Sequence, residues 1–152
     1  MAKVSIIGTG TWGIALGMVL AQNGHEVTAW SALPKEIEAL RESYKCKNLP
    51  GVEIPRSIVF TADLQACTDK EMLVLSVPSV FTRGVAKQMN PFVKEGQLIV
   101  SVAKGIEEKT LMTMSQQIEQ ELPMANVAVL SGPSHAEEVS RGIPTTVVVG
   151  AK

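Results

Sequence analysis

A glycine-rich segment near the N-terminus has the residue types and the spacing needed to bind a dinucleotide. It reads Gly8-Thr9-Gly10-Thr11-Trp12-Gly13, directly after an apolar run and directly before a stretch of helical spacing. In this pattern Gly8 permits a tight turn, Gly10 lets a pyrophosphate approach the backbone, and Gly13 lets helix and strand pack closely. The helix that follows would add free N–H groups and a partial positive charge at its N-terminus.

Two other interpretations of the glycine segment stay open. A strand-to-helix turn can be rich in glycine and bind nothing, and methyltransferase-type folds also place glycines after their first strand. The methyltransferase ligand has no pyrophosphate, so Gly13 would lose part of its purpose. Trp12 either lies beside the cofactor or only packs the first helix on the sheet.

The residues after the second predicted strand bear on the choice of dinucleotide. NAD-binding domains usually have an acidic residue about twenty positions after the glycines, where it binds the ribose 2′-hydroxyl. Here the segment reads Trp30-Ser31-Ala32-Leu33-Pro34-Lys35 and contains no carboxylate. Ser31 and Lys35 could offer a 2′-phosphate a donor and a charge. The sequence therefore slightly favours NADP over NAD and leaves NAD open.

Two polar residues follow later buried strands, at the sheet edge where ligands bind in doubly wound folds. Lys104 leaves an apolar strand and precedes Gly105, so it could contact a phosphate or polarise a carbonyl. The alternative is a lysine that only extends to water. Ser134 could contact a ligand or cap a helix that starts near His135. Neither His25 nor His135 is predicted to donate a proton.

Short apolar runs alternate with stretches of helical spacing along the whole chain. Near-continuous runs of β-branched residues and leucine are typical of strands covered on both faces. Strand–helix–strand alternation predicts right-handed crossovers and an α/β fold of the Rossmann type, a doubly wound, mostly parallel sheet with helices on both faces. One domain over residues 1–152 is the simplest organisation. The predicted strands are Val4–Ile7, Glu26–Trp30, Ser57–Thr61, Met72–Leu75, Gln97–Val100, Val127–Leu130 and Thr146–Val149.

Three further helices and one loop follow from spacing. One of these helices has Leu111, Met114, Ile118 and Leu122 on its buried face. Another has Phe81, Val85 and Met89 on its buried face and begins after a capping Ser79. Pro34–Leu40 is the third, with proline at its start. The segment Asn48–Pro55 contains two prolines and a glycine, which predicts a surface loop.

Composition excludes several classes of function. Fourteen basic and fifteen acidic residues give a net charge of −1 with no basic block, so nucleic acid is not an expected partner. Cys46 and Cys67 lack metal-type spacing, which predicts no metal site and a reducing compartment, the cytoplasm. No apolar run approaches the roughly 20 residues of a membrane span.

Taken together, these motifs resemble the bacterial-type NAD(P)-dependent glycerol-3-phosphate dehydrogenases over nearly the whole chain. The resemblance implies interconversion of dihydroxyacetone phosphate and sn-glycerol 3-phosphate, which feeds glycerophospholipid synthesis. The segments that carry it are Gly8–Gly13, Asn23-Gly24-His25-Glu26-Val27, Leu49-Pro50-Gly51-Val52, Val77-Pro78-Ser79, Lys104-Gly105-Ile106-Glu107 and Ser131-Gly132-Pro133-Ser134-His135-Ala136.

The same resemblance assigns roles to individual residues. Thr11, Trp12, Lys104 and Ala136 would contact the cofactor together with the three glycines of the motif, and Phe81 would form an apolar wall for the nucleotide. Lys104, Gly132 and Ser134 would contact the substrate. Family members often have an arginine or histidine near Ala32 for the 2′-phosphate, and this sequence has none.

The family pattern continues into a helical domain that supplies a general-acid lysine. We therefore expect this chain to be the N-terminal part of a longer enzyme, with no catalytic residue of its own and no turnover alone. A homodimer is possible. Two alternatives remain: a dehydrogenase of another hydroxy substrate, or a stand-alone NAD(P)-binding regulatory module.

Overall fold

The apolar runs form the strands of one sheet. In the computed structural model, which describes all 152 residues, the strands are β1 Lys3–Ile7, β2 Glu26–Trp30, β3 Val59–Thr61, β4 Met72–Leu75, β5 Leu98–Ser101, β6 Asn126–Ser131 and β7 Val148–Ala151. The helices are α1 Thr11–Gln22, α2 Pro34–Ser43, α3 Leu64–Thr68, α4 Thr82–Met89, α5 Met114–Glu121 and α6 Ala136–Ser140. A 3-10 turn, Ser79–Phe81, precedes α4.

The strand order confirms the predicted doubly wound α/β fold. It is β3-β2-β1-β4-β5-β6-β7, and every neighbouring pair is parallel except β6 with β7. The chain moves outward from β1 to β3 and then returns to β4 on the other side of β1. This reversal between β1 and β4 leaves a crevice at the carboxyl ends of both strands, where ligands bind in such sheets.

Each face of the sheet has its own hydrophobic cluster. One cluster joins Ile14, Met18, Ile37 and Leu40 of α1 and α2 to the sheet around Phe60. The other packs α3, α4 and α5 through Cys67, Met89, Ile118 and their neighbours. Alternate residues of the central strands enter opposite clusters, which explains why their sequences are apolar almost throughout.

Two predicted helices begin later than expected. Leu111 precedes α5, has a φ of +58° and is 76% exposed, because Thr113 caps α5 and forms a capping box with Gln116. Phe81 ends the 3-10 turn and is 59% exposed, so it does not share the buried face of Val85 and Met89 in α4. The prediction that Ser79 caps this helix is wrong, since its side chain makes no capping hydrogen bond.

The segment Asn48–Pro55 is a loop, but it is more than a surface loop. Leu49 and Ile54 are each only 1% exposed and belong to the cluster beneath α1 and α2. The backbone N–H of Ile54 also donates to the carbonyl of Tyr44 at 2.9 Å. The loop therefore closes one end of the hydrophobic core.

The last strand differs from its prediction in position. β7 starts at Val148, two residues after the predicted start, and it runs antiparallel to β6 with all four residues exposed. Beside it, an apolar groove of about 730 Å³ lies over β4, β5 and β6 and is lined by residues such as Leu16, Leu20, Val100, Leu130 and Val149. No helix combines the length and the apolarity that crossing a membrane requires.

Candidate functional site

The glycine turn between β1 and α1 has a shape that only glycine permits at two positions. Gly8 has a φ of +119°, and a Cβ there would lie 2.8 Å from the backbone nitrogen of Val77. A Cβ on Gly13 would lie 2.3 Å from the carbonyl oxygen of Gly8. The first and third glycines are thus needed for the turn and for the contact between α1 and the sheet, as the sequence predicted.

The middle of the same turn is open and positively polarised. No atom lies within 4 Å of a Cβ built on Gly10, so the backbone there is accessible. The first N–H that bonds within α1 is that of Ile14, to the Gly10 carbonyl, so the N–H groups of Thr11, Trp12 and Gly13 have no protein acceptor. With no acidic residue in this first turn, the helix end suits a pyrophosphate.

Thr11 and Trp12, which carry two of these N–H groups, line a cleft of about 410 Å³ at the carboxyl ends of β1, β4, β5 and β6. The cleft brings together six residues predicted to bind cofactor or substrate: Gly10, Thr11, Trp12, Lys104, Ser134 and Ala136. Val77, Pro78 and Ser79, a segment that carries part of the family resemblance and was assigned no ligand contact, also line this cleft. The remaining lining residues are Ser76, Val102, Ala103, His135 and Glu137.

Lys104 and Ser134 meet at one carbonyl. The Lys104 ammonium donates to the Gly132 carbonyl at 2.9 Å, and the Ser134 hydroxyl reaches the same oxygen at 3.4 Å. An ammonium has three donors, so Lys104 keeps two for a ligand. Gly132 has a φ of +148°, and a Cβ there would lie 2.9 Å from the Thr146 carbonyl. The loop after β6 is therefore shaped to receive the lysine that follows β5.

An ion-pair network that was not predicted from the sequence holds the loop that carries Lys104. The Arg83 guanidinium of α4 contacts the Glu107 carboxylate at 2.6 Å and the Glu121 carboxylate of α5 at 2.8 Å. Hydrogen bonds from Arg83 and Thr110 lower the pKa of Glu107 to about 2, and the two carboxylates raise the pKa of Arg83. The network joins α4, the loop after β5 and α5.

The other predicted site residues lie around the cleft. Trp12 lines the cleft and also packs against the core, which confirms its packing role, while its contact with the cofactor stays a prediction. Ala136 is buried at the start of α6. Ser134 does not cap α6, because the N-cap is His135, which makes no side-chain cap. Phe81 is exposed and is not among the residues that line the cleft. Its contact with the nucleotide stays a prediction.

The structure corrects one premise about the end of β2. A carboxylate does lie there: the Ser31 hydroxyl donates to the Glu36 carboxylate of α2 at 2.5 Å. Because this hydroxyl proton is used within the protein, Ser31 is not a free donor for a 2′-phosphate. The sequence argument for NADP depended on the absence of such a carboxylate.

The sheet order, the glycine turn and the cleft together define a Rossmann-type domain. Residues 3–152 match the model of the NAD-dependent glycerol-3-phosphate dehydrogenase N-terminus. The chain belongs to this family, whose members use NAD or NADP.

Individual relatives agree with this assignment. The chain is 58% identical to a glycerol-3-phosphate dehydrogenase [NAD(P)+] from Agathobacter rectalis, with all of this chain and 46% of that protein covered. It is 52% identical to one from Fusobacterium nucleatum, with coverages of 99% and 46%. A crystal structure of glycerol-3-phosphate dehydrogenase from Coxiella burnetii superposes with a TM-score of 0.89 at 28% identity, over 97% of this chain and 46% of that one.

The fold alone does not specify the substrate. A UDP-D-ManNAc dehydrogenase from Pyrococcus horikoshii shares it, with a TM-score of 0.79 at 12% identity over 98% of this chain and 41% of that one. The chain also spans about half the length of the relatives that it matches.

Proposed function

We propose that this chain is the NAD(P)-binding part of an enzyme that interconverts dihydroxyacetone phosphate and sn-glycerol 3-phosphate. The observation that carries the proposal is the cleft in which the unpaired N–H groups of Thr11 and Trp12 face Lys104 and Ser134. One side of this cleft suits a pyrophosphate, and the other offers a small phosphorylated alcohol or ketone the two free donors of the Lys104 ammonium and the hydroxyl oxygen of Ser134.

Each residue has a role in this proposal. The glycine turn, Thr11, Trp12 and Ala136 hold the dinucleotide, whose nicotinamide supplies or accepts the hydride when bound. Phe81 adds an apolar wall. Lys104 lies where it can contact both cofactor and substrate, while Gly132 fixes the ammonium through its carbonyl and Ser134 adds a hydroxyl.

The general acid is not among these residues. We infer that the enzyme also has a helical C-terminal domain, which supplies a general-acid lysine and the rest of the substrate pocket, since this chain covers only 46% of the Agathobacter rectalis relative. The apolar groove beside β7 supports this, because a groove of about 730 Å³ lined mostly by apolar side chains is suited to packing against more protein. The completed enzyme would act in the cytoplasm, and a homodimer is compatible with this organisation.

Calorimetric titration with NADH tests the binding proposal. We expect saturable binding to the chain and weaker binding to Lys104→Ala, because the ammonium faces the cleft. Lys109→Ala is the matched control, since Lys109 is an exposed lysine of the same loop that does not line the cleft. Circular dichroism establishes that each sample is folded.

Two results would overturn the proposal. Absence of saturable binding in folded protein contradicts the nucleotide site. If this chain alone reduces dihydroxyacetone phosphate at about the 10 s⁻¹ typical of complete enzymes, the general acid cannot lie in a second domain, as we propose.

A further inference from the structure

The carboxylate at the end of β2 is held in place rather than free in solvent. Glu36 lies in the first turn of α2 and accepts a hydrogen bond from the Ser31 hydroxyl at 2.5 Å. Ser31 is only 6% exposed, and its oxygen also accepts the Leu33 backbone N–H at 3.2 Å. Both bonds restrict the Ser31 rotamer and thereby the position of Glu36.

The serine that holds this carboxylate lies beside the glycine turn. β1 and β2 are paired in register from Lys3 with Glu26 to Ile7 with Trp30, and the Gly8 N–H donates to the Trp30 carbonyl at 2.9 Å. Ser31 therefore follows β2 where Gly8 follows β1. In a Rossmann-type domain this is where the adenosine ribose of a dinucleotide lies.

The arginines of α2 and of the loop that follows it, Arg41 and Arg56, already have partners within the protein. The Arg41 guanidinium donates twice to the Phe60 carbonyl, at 2.9 and 2.7 Å, and Arg56 lies 4.7 Å above the ring of Tyr44. Pro34 at the start of α2 has no N–H to offer a phosphate. Lys35 is exposed and has no fixed partner, so a 2′-phosphate would find one flexible ammonium next to a fixed carboxylate.

We propose that Glu36, positioned by Ser31, makes this chain prefer NAD(H) to NADP(H). The Glu36 carboxylate accepts a hydrogen bond from the ribose 2′-hydroxyl and repels a phosphate in the same place. An acidic residue six positions after the last residue of β2 thus takes the role that other dinucleotide-binding domains give to a residue at the strand end. This inference rests on the proposed nucleotide site.

The test compares two ligands that differ only in the 2′-phosphate, ADP-ribose and 2′-phospho-ADP-ribose, by calorimetry on the whole chain. Neither ligand has a nicotinamide, so binding depends on the adenosine half of the site. We expect ADP-ribose to bind about tenfold more tightly or better, the order that repulsion between nearby anions gives at a protein surface. Glu36→Gln keeps an acceptor for Ser31 and should narrow this ratio, mainly by improving binding of the phosphorylated ligand.

Two variants separate specificity from general effects of charge or structure. Glu38→Gln removes the same charge from an exposed position on α2 and should leave the ratio unchanged. Ser31→Ala frees Glu36 to move and should narrow the ratio less than Glu36→Gln does.

Three outcomes would overturn the inference. Equal or tighter binding of 2′-phospho-ADP-ribose to the unmodified chain contradicts the preference itself. If Glu36→Gln and Glu38→Gln narrow the ratio of the two affinities equally, the preference comes from the net charge of the chain and not from Glu36. If neither ligand binds to folded protein, the nucleotide site is wrong and the inference fails with it, a result distinct from binding without preference.

Discussion

At the scale of single residues, the three glycines of the motif have different tasks that substitution can separate. Gly13→Ala should lower the free energy of unfolding by about 1–3 kcal/mol, because its Cβ would overlap the Gly8 carbonyl in a packed turn. Urea denaturation measures the change. Gly10→Ala is the control: its Cβ meets no protein atom, so stability should stay nearly constant while ADP-ribose binding weakens. Equal destabilisation by both substitutions would contradict this division of tasks.

Sequence reasoning identified residues whose role depends on the backbone and missed those whose role depends on a distant partner. The glycine turn and Lys104 were predictable because strand ends and glycine spacing determine where they lie. The contact of Ser31 with Glu36 was not, since it depends on a Glu36 side-chain conformation that turns back from the predicted helix towards the strand. Leu111 was misplaced because apolar spacing alone does not show where a cap starts a helix.

At the scale of elements, the Arg83 network predicts a pH dependence of stability. The pKa of Glu107 is about 2 in the folded chain and 4.5 in its ordinary state, so the unfolded chain binds protons first as pH falls. The contribution of Glu107 to stability is therefore complete above about pH 4.5 and is lost as the pH falls towards 2.

Urea denaturation between pH 2 and pH 6 measures this effect. Arg83→Met removes the cause of the lowered pKa and should flatten the decline of stability between pH 4.5 and 2. Arg141→Met, at an exposed arginine without an ion pair, serves as the control and should keep the decline of the unmodified chain. An unchanged slope in Arg83→Met would show that the network does not set the pKa of Glu107.

Among the elements, the strands were the most predictable part. β2 and β4 have the predicted bounds: β4 is a continuous apolar run, and each strand ends at an apolar residue that is followed by a serine. β7 was displaced because its exposed residues carry no burial pattern, and direction is not encoded in a short run of valines. The loop over Asn48–Pro55 was recognised by its prolines, whereas burial of Leu49 and Ile54 depends on the core that it closes.

At the scale of the whole molecule, the apolar groove should bind a hydrophobic fluorescent dye such as anilinonaphthalene sulfonate in the native chain. Val149→Thr, on the groove side of β7, should reduce the fluorescence, while Val59→Thr on the opposite edge strand should not. These two valines are 63% and 58% exposed, which makes them a matched pair. A longer chain that includes the proposed C-terminal domain should lose most of the signal. Undiminished fluorescence there would mean that the domain packs elsewhere.

The central place of β1 in the sheet has a consequence for synthesis on the ribosome. β1 emerges first, yet one of its two neighbours is β4, so its core cannot close until residues near Leu75 have been translated. The Gly8 turn waits as long, because it packs against Ser76 and Val77, and the Ser76 hydroxyl donates to the Gly8 carbonyl at 2.9 Å. The nucleotide-binding turn therefore cannot reach its final shape until nearly seventy further residues have left the exit tunnel, since Ser76 lies 68 positions after Gly8.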